Sequence, residues 1–205
     1  MSKLTMTTFL TLDGVTQAPG GPAEDPSGGF GHGGWLVPFI DEGMRKFMVE
    51  VFERADAFLL GRTTYQIFAS HWPRVTDPSD LIASKLNGLP KHVASNTLAR
   101  VDWHASSLVT DVVSAVPELK SRYPRELQVH GSAGLAQTLL EHDLVDEYHL
   151  LVFPVVLGTG KRLFAAGALP ARLKLLGTRT TESGTIIASY ARAGTPKFGS
   201  FMLDP

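Results

Sequence analysis

Ala57 to Leu60 is a short apolar run that stops at Gly61 and is followed at once by Arg62-Thr63-Thr64-Tyr65. A run this brief and this apolar reads as a buried strand. The glycine ends it, and the next residues open a helix to about Ala69. A strand that turns through glycine into a helix leaves first-turn amides without partners inside the helix. They point outward at the positive end of the helix dipole, an arrangement that holds anions. Arg62 adds a planar cation, and Thr63 and Thr64 add hydroxyls, the groups a phosphate takes. The same residues also fit an ordinary strand-to-helix turn with a solvated arginine. This stretch alone does not choose between the two.

A second unit of the same kind follows. Leu127 to His130 reads as a strand, and Gly131-Ser132-Ala133-Gly134 leads into a helix over Leu135 to His142. Its small residues let a backbone approach a pyrophosphate, although the full GxGxxG fingerprint is absent. Gly158-Thr-Gly-Lys161 is not a Walker A loop, because position 155 holds no glycine. Further strands are expected over Leu4–Leu12, ending at the turn signal Asp13-Gly14, and over Lys91–Ser95, closed by Asn96-Thr97. Short helices are expected over 80–86 and 111–123, the second carrying Pro117. Val145 to Val156 is a long apolar strand region. Two β-rich runs, 172–180 and 185–193, flank Thr181-Glu-Ser-Gly184 as a hairpin. Strands alternating with helices and ending in a hairpin predict an α/β fold, a mostly parallel sheet with an antiparallel edge. We expect one domain over 1–193 and a tail over 194–205.

Pro19 to Gly34 holds seven glycines and three prolines, which excludes regular structure there. The segment reads as a lid over a ligand or as a variable surface loop. Phe30, Trp35 and Leu36 near its end are apolar groups able to cover a ring. A helix is expected from about Pro38 to Arg54, with Ile40, Met44, Phe47, Met48 and Val51 on one face. In that register Asp41 projects beside Met48 and Phe52 at the edge of the apolar face. A partly buried acid there has a raised pKa and can donate a proton. The alternative is a first-turn acid that favours the helix dipole.

Composition removes several classes. Net charge is −1, from 19 Lys+Arg against 20 Asp+Glu, so no basic excess points to nucleic acid. The chain has no cysteine, which excludes thiol catalysis, disulfides and thiolate metal sites. Neither a signal peptide nor an apolar run of about 20 residues is visible, so no membrane partner and a cytoplasmic location are expected. Histidines at 32, 71, 92, 104, 130, 142 and 149 show no metal-ligand spacing. His130, at the end of a strand, reads as a packed residue more readily than as a catalyst.

The order of motifs is more specific than any one of them. Leu12-Asp-Gly-Val15, Leu60-Gly-Arg-Thr-Thr-Tyr65, Lys91-His-Val-Ala-Ser-Asn-Thr97, Val129-His-Gly-Ser-Ala-Gly-Leu135, and Glu147-Tyr-His-Leu before Pro154-Val-Val-Leu-Gly158 appear in that sequence. The set resembles the dihydrofolate-reductase-like superfamily, closest to stand-alone forms of the reductase (C-terminal) domain of RibD, the riboflavin-biosynthesis deaminase/reductase. The resemblance covers about Lys3 to Ala193. It implies a three-layer α/β fold with helices on both faces of the sheet and a C-terminal antiparallel hairpin. It also implies NADPH as cofactor and a family-type homodimer.

Residue by residue, the resemblance gives Gly61, Arg62, Thr63 and Thr64 to a phosphate. Ser95 and Asn96 go to the adenosine 2′-phosphate region. Gly131, Ser132, Ala133, Gly134 and Leu135 form the turn under the pyrophosphate. Asp13 and Gly14 lie beside the nicotinamide, and Asp41 falls near the family's acid on the first helix. Trp35 and Phe39 are then expected to cover the substrate ring, with Asp41 and Asp13 at the chemistry. The implied activity is hydride transfer from NADPH to a C=N or C=O carbon of a small heterocycle. Two alternatives stand beside it. One is the riboflavin-pathway reductase acting on 5-amino-6-(5-phosphoribosylamino)uracil, which requires basic residues for a ribose phosphate. The other is a dinucleotide-binding sensor without turnover. The zinc signature of the deaminase half is absent.

Overall fold

The computed structural model describes residues 2–165 and 168–202. One eight-stranded sheet runs through it, in the order β4-β3-β2-β5-β1-β6-β8-β7. The strands are β1 (Lys3–Thr11), β2 (Ala55–Gly61), β3 (Lys91–Ala94), β4 (Ser106–Val109), β5 (Glu126–His130), β6 (Glu147–Phe153), β7 (Leu173–Thr180) and β8 (Ile186–Arg192). The first six are parallel, and β8 and β7 close the edge as the expected antiparallel hairpin. The helices are α1 (Glu42–Glu53), α2 (Arg62–His71), α3 (Leu81–Gly88), α4 (Val112–Arg122) and α5 (Ala133–Glu141).

Side-chain alternation sorts the core into two layers. From β2, Phe58 and Leu60 join the α1, α2 and α3 side, and Ala57 and Leu59 join the α4 and α5 side. All four are fully buried, the condition of a parallel strand covered on both faces. On α1 the stripe Met44, Phe47, Met48, Val51 and Phe52 is buried against the sheet. On α4 and α5, Val116, Leu119, Leu135, Ala136 and Leu139 fill the opposite layer. Asp80 and Asp111 cap α3 and α4 by accepting the amides of Ala83 and Ser114. Pro117 lies inside α4 and removes one helical donor without ending the helix.

Boundaries differ from the sequence reading where a cap moves a helix start. Residues 37–39 form a single 3₁₀ turn, Ile40 is extended, and α1 starts only at Glu42. Likewise α5 starts at Ala133, so the small residues form its first turn. The tail beyond β8 carries Phe198, Phe201 and Met202, and all three side chains are exposed.

Candidate active site

The carboxyl ends of parallel strands gather loops and helix N-termini into one crevice, the usual place for a ligand in an open α/β sheet. Here that crevice is a cleft of about 1710 Å³. The ends of β2, β3, β4 and β5 supply Gly61, Ala94, Val109 and His130 to its wall. Phe9, Met44, Met48 and Phe52 give it an apolar side, and Thr7 and His130 sit on its floor.

The two strand-to-helix turns meet at one end. Gly61 N–H donates to Ser132 Oγ at 3.0 Å, Ser132 N–H donates to Thr64 Oγ1 at 3.1 Å, and Ser132 Oγ–H donates to the His130 carbonyl at 3.1 Å. Gly61 and Ser132 therefore brace α2 against α5 and have no amide left for a ligand. A Cβ on Gly61 would sit 3.3 Å from Ser132 Cβ, so the glycine serves the close approach of the two helices. Gly131 and Ser132 both have positive φ, which makes the tight turn into α5. No side chain caps α2 or α5. The amides of Arg62, Thr63 and Thr64 and those of Ala133, Gly134 and Leu135 thus remain open, as the first amides of any helix do. Nothing lies within 4 Å of a Cβ built on Gly134, so the backbone there is bare to the cleft.

Ser95 and Asn96 line the cleft beside these turns. The Ser95 hydroxyl accepts the amides of Thr97 and Leu98 and shapes the strand end, while Asn96 is exposed. Arg62 reaches the same place, donating to Thr97 Oγ1 at 2.8 Å. Two uncapped helix N-termini, a guanidinium and a polar strand end are the donor set a dinucleotide with several phosphates fits.

Five residues expected at the chemical end lie outside the cleft lining. Asp41 does not have the raised pKa expected at an apolar edge. It is the N-cap of α1, accepting Met44 N–H at 2.8 Å and Ser183 N–H at 2.8 Å, and these amides hold its carboxyl well below the usual range. Asp13 accepts the Thr11 hydroxyl at 2.6 Å and the amides of Leu157 and Gly158, and Arg162 pairs with it. The Thr11 hydroxyl, ahead of the amides, brings Asp13 down to about 2. It is a clamp between the end of β1 and the 157–162 segment. Gly14, with φ +82, is the turn residue of that clamp rather than a wall of the cleft. Trp35 is buried and donates its indole N–H to the Gln17 carbonyl at 2.8 Å. Both Trp35 and Phe39 pack on Phe153, so they anchor the loop in the core, and neither lines the cleft.

The glycine-rich segment still walls the cleft, through its first half. Gln17, Ala18, Pro19, Glu24 and Asp25 line it. Lys161 pins the segment by donating to Asp25 Oδ2 at 2.6 Å and Ser27 Oγ at 2.7 Å. Gln17 adds bonds to the carbonyls of Asp25 and Ser27, both at 2.9 Å. Glu24 is a cleft-lining acid whose burial sequence reading missed. Burial raises its pKa, against the lowering effect of the Gly20 and Gly21 amides. No local signal marks it, since its burial depends on how the loop folds back.

Among the described residues no group of three or more His, Asp or Glu is arranged to hold a metal ion, and no helix is long and apolar enough to cross a membrane.

Comparison with known proteins bears on the family and the fold. The RibD C-terminal domain family model matches residues 2–187. The uncharacterized protein YyaP of Bacillus subtilis is 29% identical over 187 residues, 88% of this chain and 90% of that one. Among solved structures, a candidate riboflavin biosynthesis protein of Shewanella sp. PV-4 superposes with a TM-score of 0.67 at 22% identity, covering 93% of this chain and 99% of that one. A pyrimidine reductase-like protein of Corynebacterium diphtheriae does so with a TM-score of 0.62 at 13% identity, over 94% and 92%. Those structural likenesses speak for the fold, which is the dihydrofolate-reductase-like one. The family match spans nearly the whole chain and carries the further step: this protein belongs to the RibD C-terminal domain family, whose fold is that of a reductase.

Proposed function

We propose that the protein is an NADPH-dependent reductase acting on a small neutral heterocycle. The observation that carries this reading is the pair of uncapped helix N-termini, α2 and α5, braced side by side at the carboxyl ends of neighbouring strands. In this reading the open amides of Arg62–Thr64 and Ala133–Leu135 hold the phosphates. Arg62 and Asn96 face the adenosine end. NADPH, when bound, supplies the hydride. The apolar wall of Phe9, Met44, Met48 and Phe52 keeps water from the reacting carbon. Glu24 holds the proton, because burial keeps its carboxyl protonated to higher pH than an ordinary glutamate.

The riboflavin-pathway substrate fits less well. Its ribose phosphate needs converging cations. Outside the cofactor turns the cleft offers Arg45, Lys46 and Lys161 among Glu24, Asp25 and Glu42, and Lys161 is already paired with Asp25.

Thermal unfolding with NADPH, NADH and FMN tests the reading. A ligand that binds only the native state raises Tm by mass action, about 2.7 kcal/mol of stabilisation at 100 Kd. NADPH is expected to give the largest shift, and Arg62→Ala to reduce it. A response to FMN with none to NADPH would remove the proposal. NADPH oxidation across carbonyls, imines and pterins then separates an enzyme from a sensor.

A further inference from the structure

A row of polar side chains crosses the sheet beneath α1. His130 on β5, Thr7 on β1, His149 on β6 and Ser189 on β8 are register partners in turn, so they share one face. The helix covers the row with aromatic rings. Phe47 meets the His149 ring in a T-shaped contact with centroids 5.7 Å apart, and Phe52 stacks on His130 at 4.5 Å.

Arg54, the C-cap of α1, ties the end of the helix to this row. Its guanidinium donates to the Glu50 carbonyl at 2.8 Å and to Glu126 Oε1 at 2.7 Å, and it meets His149 Nε2 at 3.3 Å. A guanidinium only donates, so His149 Nε2 must be a lone pair. The imidazole proton is then on Nδ1, where it donates to Ser189 Oγ at 2.9 Å. Both ring nitrogens are used, and the seat fits only the neutral ring. Burial, and after it the Arg54 charge, hold the imidazole pKa below its ordinary value.

A second proton would set Nε2–H against the Arg54 N–H, donor against donor. His149 is 5% exposed and held between Phe47 and Ser189, whereas the Arg54 side chain is 42% exposed and free to swing outward. The charges around the ring are otherwise committed. On β5, Glu126 also accepts from Gln128 and Thr5, and His130 is a second base whose proton would add to the conflict. On β6, Glu147 pairs with Lys3 of β1. On α1, Glu50 pairs with Arg179 of β7, and β8 contributes the Ser189 hydroxyl.

We propose that His149 is an acid-sensitive catch on α1. When a proton arrives at Nε2, Arg54 leaves the row for solvent, and the last turn of α1 loses its hold on the sheet. Glu126, which Arg54 releases, balances the new charge. Met44, Met48 and Phe52 of the same helix line the cleft, so the cleft wall loosens on the acid side. The step does not depend on the reductase reading, because a proton is its only ligand.

Amide hydrogen exchange of the full-length chain, corrected for the intrinsic effect of pH, reads this opening. Amides of residues 51–54 should open more readily than those of β2. Their opening should rise about tenfold per pH unit from pH 6.5 to 5, the slope of one proton. In His149→Gln the side-chain oxygen can accept from Arg54 and the nitrogen can donate to Ser189, but neither titrates. That variant should match wild-type protection of α1 at pH 7.5 and lose the slope at 51–54, while β2 keeps the slope of the other histidines. Arg54→Met removes the opposing donor and frees Glu126 for the proton, so it should flatten the same slope. Wild-type opening at 51–54 that does not vary with pH, protection there equal to that of β2, or a slope that survives in His149→Gln would overturn the catch. Should His149→Gln not fold, a slope that survives in Arg54→Met overturns it equally.

Discussion

Glu24 and Asp41 show that an acid's neighbours, not its position in a motif, decide what it can do. Asp41 accepts two backbone amides and stays ionised. Glu24 also accepts two backbone amides, those of Gly20 and Gly21, but burial within the cleft wall outweighs them and raises its pKa. We therefore expect Glu24→Gln to lower kcat about a hundredfold, the scale of a lost general acid, with the NADPH-induced Tm shift unchanged. Asp41→Asn should do the reverse, lowering Tm through the weakened cap and leaving kcat close to wild type. Steady-state turnover and thermal unfolding of the two variants check the pair, and a kcat loss confined to Asp41→Asn would return the acid to α1. Sequence pattern misplaced this role for a physical reason. A helix that starts at Glu42, four residues after Pro38, turns a half-buried position into a cap, and the second amide comes from Ser183 on the far hairpin. His130 was legible as a packed strand-end residue, and it is buried and stacked on Phe52, but its hydrogen-bond partner Gln128 is set by Glu126 and the Val51 carbonyl, which only the folded sheet brings together.

At the scale of elements, the turns were the most legible part of the chain. An apolar run, a glycine and a helix-opening sequence are local features, and both units formed where they were expected. What the sequence pattern did not disclose is that Gly61 and Ser132 brace the helices and leave the phosphate to the amides that follow. Gly61→Ala would press a Cβ to 3.3 Å from Ser132 Cβ. We expect a loss of about 1 kcal/mol and a severalfold weaker NADPH response as α2 and α5 are pushed apart. Gly160 is a harsher case. It has φ +118, and a Cβ there would lie 2.7 Å from Val15 Cγ1 and 2.8 Å from Phe30 Cε2. Gly160→Ala should cost about 3 kcal/mol from overpacking and backbone strain, and should loosen the segment that Lys161 holds. Urea unfolding and limited proteolysis of residues 19–34 measure both effects, and an unchanged urea midpoint for Gly160→Ala would contradict the packing described.

At the scale of the whole molecule, buried histidines set the response to acid. Burial lowers the pKa of His130, His92 and His149, with His130 down to about 3. An unfolded histidine titrates near 6.5. Between those values the unfolded chain binds protons that the folded chain refuses, so stability falls as pH falls. Each such histidine contributes a slope of up to about 1.4 kcal/mol per pH unit. The lowered carboxylates Asp13 and Asp41 act in the same direction but later, since their stabilisation is lost only as pH drops below the unfolded value near 4. Glu24 opposes them, being raised, and favours the folded state at the acid end. The histidine window and the carboxylate window are therefore separable by pH. Urea unfolding at intervals from pH 7.5 to 4.5 should show stability declining from about pH 6.5, before any aspartate titrates. In His130→Phe the decline should lose close to one proton's worth of slope. A flat profile between pH 6.5 and 5 would mean that these imidazoles take up protons in the folded protein as readily as in the unfolded chain, against the burial described.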